Sequence, residues 1–382
     1  MKVIVPRVVD EDNVNAQNLN ARSLLSRFSG RNCKWHCARY DKADWTVASN
    51  SAVRVTRLAP WRFWTWHMAL FYQRSADAIF YPGVEWFDPM GLQWRDRTRR
   101  SVPVIATLEG LAGDPEREKQ VSRIAGHPVY CQQVSRQRLA WVDYVMRRAD
   151  HIIAVSPFLG KIGRQLYGDK CSVLPMGIDL DMFRPSTRPR SDQPKKVLSV
   201  GNVRSHKRPE IFLNLATQFQ EVEFRWIGEG DQRSALAEEA SRRKLQNLSL
   251  PGSLTRKQIA EEMRTADVLV MPSRSEGVPK VTQEAAASGV PCIVFGYYEA
   301  PTVVDGENGH VVWSDGELAQ RLAELLHNAE LRNKMARRGR DFACAWDWDV
   351  VAAQWEQEIV SIIGKLRSSP RQCRQSFVYR SS

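Results

Sequence analysis

What most constrains this chain is an alternation: short apolar runs bounded by turn residues, each followed by a stretch of helical periodicity. One series of strand-like runs lies at 2–5, 78–81, 103–107, 151–156 and 171–175. A second lies at 196–201, 222–228, 267–272, 291–296 and 310–313, with helical patterns at 208–219, 233–244, 256–265 and 316–328. Such alternation predicts parallel sheets covered by helices on both faces. Between the series stands RPSTRPRSDQPKK at 184–196, with three prolines, five basic residues and no large apolar side chain, which reads as an exposed linker. The expected architecture is therefore α/β: two Rossmann-like, doubly wound domains facing an interdomain cleft, with ligands beyond the carboxyl ends of the strands. The expected boundaries are a first domain at 1–184, a linker at 185–196 and a second domain at 197–345. A helix at 346–364 should cross back to the first domain, and a basic tail at 365–382 should lack stable structure.

With 382 residues, 43% hydrophobic and 26% charged, the chain can bury large cores without a disulfide or metal. No apolar run approaches the roughly 18–20 residues that span a bilayer. The apolar start is too short for a secretory signal, so a cytoplasmic protein is expected. Seven cysteines without repeated spacing suit reduced thiols. Cys33, His36 and Cys37 lack a fourth ligand at zinc-site spacing, so they read as incidental residues of a loop and no metal is expected. The net charge of +12 is uneven: residues 1–185 carry 27 Lys and Arg against 18 Asp and Glu, residues 186–382 carry 28 against 25. A basic first half implies an anionic partner: nucleic acid, membrane headgroups or phosphorylated lipid.

Chemistry concentrates in SRSEGVPKVTQEAAAS at 273–288. It follows a strand and leads into a helix from about Val281. Gly277 and Pro279 suit a tight loop at a helix start. The free N–H groups of Gly277, Val278, Lys280 and Val281, with the helix dipole behind them, would seat a phosphate or sugar hydroxyls. Glu276 in the loop and Glu284 one turn into the helix can grip two parts of one extended ligand, since a carboxylate pairs well with vicinal hydroxyls.

EGVPKVTQE, an E-x7-E in the context S-E-G-x-P-x-V-x-x-E-A, resembles the donor-site motif of the family 4 glycosyltransferases, which have the two-domain GT-B fold. VGNVRSHKRP (200–209), IGEG (227–230), ADVLVMP (266–272), GVPCIV (289–294) and VDGENG (304–309) are similar to further blocks of that family, as are ADHIIAVS (149–156) and VLPMGIDLDMF (173–183). The resemblance runs through the C-terminal half and thins in the first. It implies a retaining enzyme that uses a UDP- or GDP-sugar, needs no bound metal, and binds donor in the second domain and a saccharide or lipid-linked acceptor in the first. It implies that Glu276 contacts the transferred sugar and Glu284 the ribose hydroxyls. The loop around Gly277, Val278, Pro279, Lys280 and Val281 would offer backbone donors. Lys207, following Gly201, falls on the lysine that neutralises the diphosphate leaving group.

The chain also departs from the family. Asn202 replaces the usual arginine after the loop glycine, with Arg204 two residues on as a substitute for the diphosphate. The first strand opens into acidic Asp10–Asn13 instead of a glycine-rich loop. Glu109 stands near the family's histidine and is a candidate to face the reacting sugar. Thr302 occupies a frequent glutamate position. Asp179 and Asp181 form a D-x-D that reads as structural here. Segment 57–74 (RLAPWRFWTWHMALFYQR) reads as a buried helix or a membrane-interface helix, with Arg95, Arg97, Arg99 and Arg100 nearby. The function expected is transfer of a sugar in surface polysaccharide or lipopolysaccharide assembly, in the cytoplasm or peripherally at the inner face of the cell membrane. Two alternatives are a nucleotide-sugar epimerase of the same fold and a non-catalytic basic protein that binds nucleic acid or membrane; no RNA-binding or helix-turn-helix signature supports nucleic acid.

Overall fold

A computed structural model describes residues 1–5, 16–31, 33–39, 53–57, 76–83, 88–97, 102–186 and 195–368, and all structural statements concern these. The acidic loop at 10–13, segment 57–74 beyond Arg57, Arg99, Arg100 and the tail beyond 368 lie outside them.

The first sheet contains β1 (Lys2–Val5), β2 (Lys34–Arg39), β3 (Val53–Arg57), β4 (Ala78–Tyr81), β5 (Val104–Leu108), β8 (His151–Ala154) and β9 (Cys171–Val173). Their order is β3-β2-β1-β4-β5-β8-β9 and every pairing is parallel. β6 (Ala112–Gly113) and β7 (Gln132–Gln133) form a small separate ribbon. The second sheet contains β10 (Lys196–Val200), β11 (Glu223–Ile227), β12 (Leu248–Gly252), β13 (Val268–Met271), β14 (Cys292–Phe295) and β15 (Gly309–Val312). It is also parallel, in the order β12-β11-β10-β13-β14-β15. The two doubly wound domains expected from the alternation are thus present. Central strands β4, β5, β13 and β14 are wholly buried, as continuous apolar runs covered on both faces require.

The strands missing from the sequence reading are those with mixed composition. β3 and β12 lie at sheet edges, one carrying two arginines and the other Pro251, which edges tolerate. β2 corrects the reading of Cys33, His36 and Cys37 as a loop. It alternates, with Trp35 and Cys37 buried and Lys34 and His36 facing outward, and Cys33 is buried just before it. This period of two is that of a strand with one buried face, and it places Cys33 and Cys37 in the core instead of a loop. No cluster able to hold a metal occurs among the described residues.

Helices cover both sheets. α1 (Ala16–Arg27), α2 (Asp88–Arg97), α3 (Pro115–Ala125), α4 (Arg136–Arg148) and α5 (Pro157–Tyr167) belong to the first half. α6 (Pro209–Gln218), α7 (Arg233–Arg242), α8 (Arg256–Thr265), α9 (Lys280–Ala287), α10 (Asp315–His327) and α11 (Ala329–Cys344) belong to the second. The last helix, α12 (Trp348–Ser368), returns to the first core, where Trp348, Val351, Trp355, Ile359 and Ile363 are buried. Trp355 Nε1 donates to Pro175 O (2.8 Å), and Glu356 accepts from the backbone N–H (2.8 Å) and hydroxyl (2.8 Å) of Ser29. Truncating a fully buried tryptophan such as Trp355 costs about 3–5 kcal/mol. No helix among the described residues is long and apolar enough to cross a membrane.

Candidate active site

In the second sheet the chain runs outward from β10 through β11 to β12, then returns to the other side of β10 as β13. A crevice opens at such a reversal, beyond the carboxyl ends of β10 and β13. The loop after β10 holds Gly201 to Lys207 and the loop after β13 holds Ser273 to Pro279. Lys207 and Glu276 form an ion pair across this crevice, with only 15% and 13% of their side chains exposed. The backbone N–H of Arg274 donates to His206 O (2.8 Å), which ties the two loops together.

Glycine makes the close approach in the first loop possible. Gly228 has φ 147°, and a Cβ there would lie 2.1 Å from Gly201 O. Gly201 O in turn accepts from Trp226 Nε1 (2.9 Å), which pins the turn that leads to Lys207. Asn202 and Arg204 of this loop are exposed and do not line the cavity described below.

α9 starts at Lys280 with Pro279 as its cap, one residue before the expected start, so Val281 lies in the first turn. The helix follows directly on the loop whose residues Ser275 to Val278 line the interdomain cavity, and no side chain caps its amino end. Glu284 is 8% exposed and lies 3.4 Å from Arg256 Nη2. Burial raises its pKa, against the pull of Arg256 and Lys280. Lys280 packs its ammonium over the Trp348 ring, 5.0 Å from the centroid, and burial lowers its pKa to about 8. Thr302 is buried and shares a hydrogen bond with Thr282 (2.6 Å between hydroxyl oxygens).

The facing wall comes from the first domain. Glu109 and Gly110 follow β5 and press on Gly277: a Cβ there would lie 1.7 Å from Glu109 O. Only glycine fits at that contact. A cavity of about 280 Å³ lies between the domains, lined by Glu109, Gly110, Glu276, Gly277 and Val278 together with Asn20, His206 and Arg138. His206 was not singled out by sequence, although it directly precedes Lys207. Burial lowers its pKa, helped by the charge of Lys207. Asn20 and Arg138 gave no sequence signal, because their place depends on how α1 and α4 pack. Lys207, Glu276, Glu109 and Gly277 are therefore brought together, whereas Lys280 and Glu284 group with Arg256 deeper along α9. Asp179 accepts from Met182 N (3.0 Å), closing a turn before the linker.

The domains also meet at the rim. His127 Nε2 and Glu299 Oε1 are 2.9 Å apart, and the rings of Tyr130 and Tyr297 meet edge to face at 5.1 Å. His127 also meets Trp313 at 5.2 Å. At the hinge side, Gln283 Nε2 donates to Met176 O (2.7 Å).

Residues 184–342 match the family described as glycosyl transferases group 1, and residues 38–182 match glycosyltransferase family 4. The chain is similar to the putative glycosyltransferase EpsF of Bacillus subtilis, 37% identical over 153 residues, which cover 35% of this chain and 39% of that protein. It is also similar to the D-inositol 3-phosphate glycosyltransferase of Segniliparus rotundus, 26% identical over 285 residues, covering 68% of this chain and 61% of the relative. The matched part thus spans less than two thirds of either relative. Among solved structures, Anabaena HepE in complex with UDP and glucose has the same fold, with TM-score 0.73 at 16% identity, covering 94% of this chain and 100% of that one.

Proposed function

The chain belongs to the family 4, group 1 glycosyltransferases, and on that premise we propose that it is a retaining enzyme moving a sugar from a UDP- or GDP-sugar to a saccharide or lipid-linked acceptor. The observation that carries this reading is the convergence of Lys207, Glu276 and the amino end of α9 at the switch point of the second sheet. A nucleoside diphosphate laid there meets an ammonium and a row of N–H dipoles. Glu276 turns from Lys207 to a hydroxyl of the transferred sugar, and Glu284 accepts from the ribose. The complex of HepE with UDP and glucose makes a uridine donor the first to test.

In the transfer, the bond between the anomeric carbon and the diphosphate oxygen breaks while a bond to the acceptor oxygen forms on the same face. The acceptor's proton passes to the departing phosphate oxygen. Positive charge grows on the sugar ring and negative charge on the diphosphate. Lys207 and the α9 dipole are fixed before the charge appears, which is where such groups lower a barrier most. Because they supply the countercharge, this reading needs no resident metal. The contact of Gly277 with Glu109 and the rim contacts exclude water from the activated sugar, which limits hydrolysis. The basic first half suits surface polysaccharide or lipopolysaccharide assembly at the inner face of the cell membrane.

A thermal-shift screen of UDP- and GDP-sugars, followed by turnover with and without candidate acceptors, tests the reading. One donor should stabilise the wild type and lose most of that effect in Glu284→Ala, and the product should keep the donor's anomeric configuration by NMR. No response to any donor would sink the reading. Release of an isomerised sugar without acceptor would replace it with an epimerase.

A further inference from the structure

One aromatic ring of the first domain bears on both neighbours of Lys207. Tyr130 stands between α3 and β7 in a segment pinned on either side of it. The N–H of Val129 donates to Ser122 Oγ (2.9 Å) and that of Cys131 to Glu118 Oε1 (2.9 Å), and both side chains are buried. The ring is thereby held at the domain boundary, where it meets two residues of the second domain. The guanidinium of Arg274 lies over it, 5.5 Å from the centroid, and Tyr297 meets it edge to face at 5.1 Å. Tyr130 does not line the cavity, so any effect it has on a donor passes through other residues.

Each contact continues to the loop that carries the lysine. The backbone N–H of Arg274 donates to the carbonyl of His206 (2.8 Å), the residue before Lys207. Tyr297 stacks on Phe295 at 5.2 Å, and the buried Phe295 ring lies under the guanidinium of Arg208, 4.8 Å from its centroid. Arg208 is the residue after Lys207.

An independent observation shows why this loop needs outside support. Arg208 has φ 52°, in the left-handed region that residues with a side chain seldom adopt. Such a conformation persists only where its surroundings hold it. Arg208 is 7% exposed, its Nη2 donates to Asp315 Oδ1 (2.5 Å) at the start of α10, and its charge rests over Phe295. The turn that aims Lys207 is therefore held by side-chain contacts and against backbone preference.

We propose that Tyr130 is a positioning residue for Lys207: its ring, set against Arg274 and Tyr297, holds both flanks of the strained turn, so the opposite domain sets the lysine for the diphosphate. This rests on the glycosyltransferase reading. The ring alone carries the effect, since an edge-to-face pair and a cation over a π face make no use of the hydroxyl.

UDP and GDP are titrated calorimetrically into the wild type. The nucleotide that binds is then carried through Tyr130→Ala, Tyr130→Phe, Lys207→Ala and the double variant Tyr130→Ala with Lys207→Ala. Tyr130→Ala should weaken binding about 3–10-fold when Lys207 is present and less than about 2-fold once it is gone. Tyr130→Phe should keep the affinity within about 2-fold of the wild type. His127→Ala controls for loss of a rim contact as such, since His127 sits against Glu299 and Trp313, and should change affinity less than about 2-fold. Arg274→Ala removes the ring contact and leaves the backbone bond to His206; it should show the same dependence on Lys207, and it carries the test if Tyr130→Ala fails to fold. No loss in Tyr130→Ala, losses that multiply in the double variant, or equal losses in Tyr130→Phe or His127→Ala overturn the proposal. Binding of neither nucleotide to the wild type overturns the donor reading beneath it.

Discussion

The two halves are built on the same plan and differ in where their site-forming atoms come from. In the C-terminal half, the site forms from loops directly after β10 and β13, and much of it is backbone: the turn at Gly201, the N–H groups of α9, the glycine contacts. In the N-terminal half, the cavity wall collects Asn20, Glu109 and Arg138 from three separate elements. Backbone geometry leaves a contiguous trace in sequence, because glycine, proline and a helix start must stand in order. Side chains gathered by packing leave none.

The sharpest test of this contrast is Lys207→Ala against Glu109→Gln. Removing a preplaced group from the leaving-group side should lower turnover by about 10²–10³-fold. The Glu109 change should cost clearly less, and equal losses would mean that both walls share the charge stabilisation.

Next comes the contact that joins the halves. Gly277→Ala should destabilise by about 1–3 kcal/mol and cut transfer, because its Cβ collides with Glu109 O. Gly110→Ala is the control, since its Cβ would lie an ordinary 3.9 Å from Gly277 Cα. Thermal melts and turnover on both variants check this; equal behaviour would mean the loops separate readily.

A smaller effect distinguishes the halves by acid. His151 on β8 bonds Ser172 Oγ (2.9 Å), and burial lowers its pKa from 6.5 to about 4. Between those values the unfolded chain takes up a proton that the folded chain refuses, so stability falls as pH drops through this window. His151→Asn should flatten that part of the stability profile in melts from pH 7 to 4. The rim pair should matter least: His127→Ala removes a partly exposed contact worth about 0–1 kcal/mol, seen as an increase of at most several-fold in donor hydrolysis.

The contrast also explains what the sequence made legible. Central strands could be read because burial on both faces demands unbroken apolar runs, whereas β3 and β12 could not, being edges that tolerate arginine and proline. Glu276, Lys207 and Gly277 stood out as an ordered string and meet in space. Glu284 stood in the same string but lies beside Arg256, a partner 28 residues away that spacing could not reveal. His206 was hidden by its neighbour Lys207, and Asn20 by the distance between α1 and the rest of the cavity.

The central claim is that the switch point between β10 and β13 binds a nucleoside diphosphate through Lys207. Titration calorimetry of UDP and GDP with wild type and Lys207→Ala tests it most directly. One nucleotide should bind the wild type and lose at least about 10-fold in affinity in the variant, a change of about 1.4 kcal/mol. Equal affinity in both proteins, or no binding to either, would contradict the account.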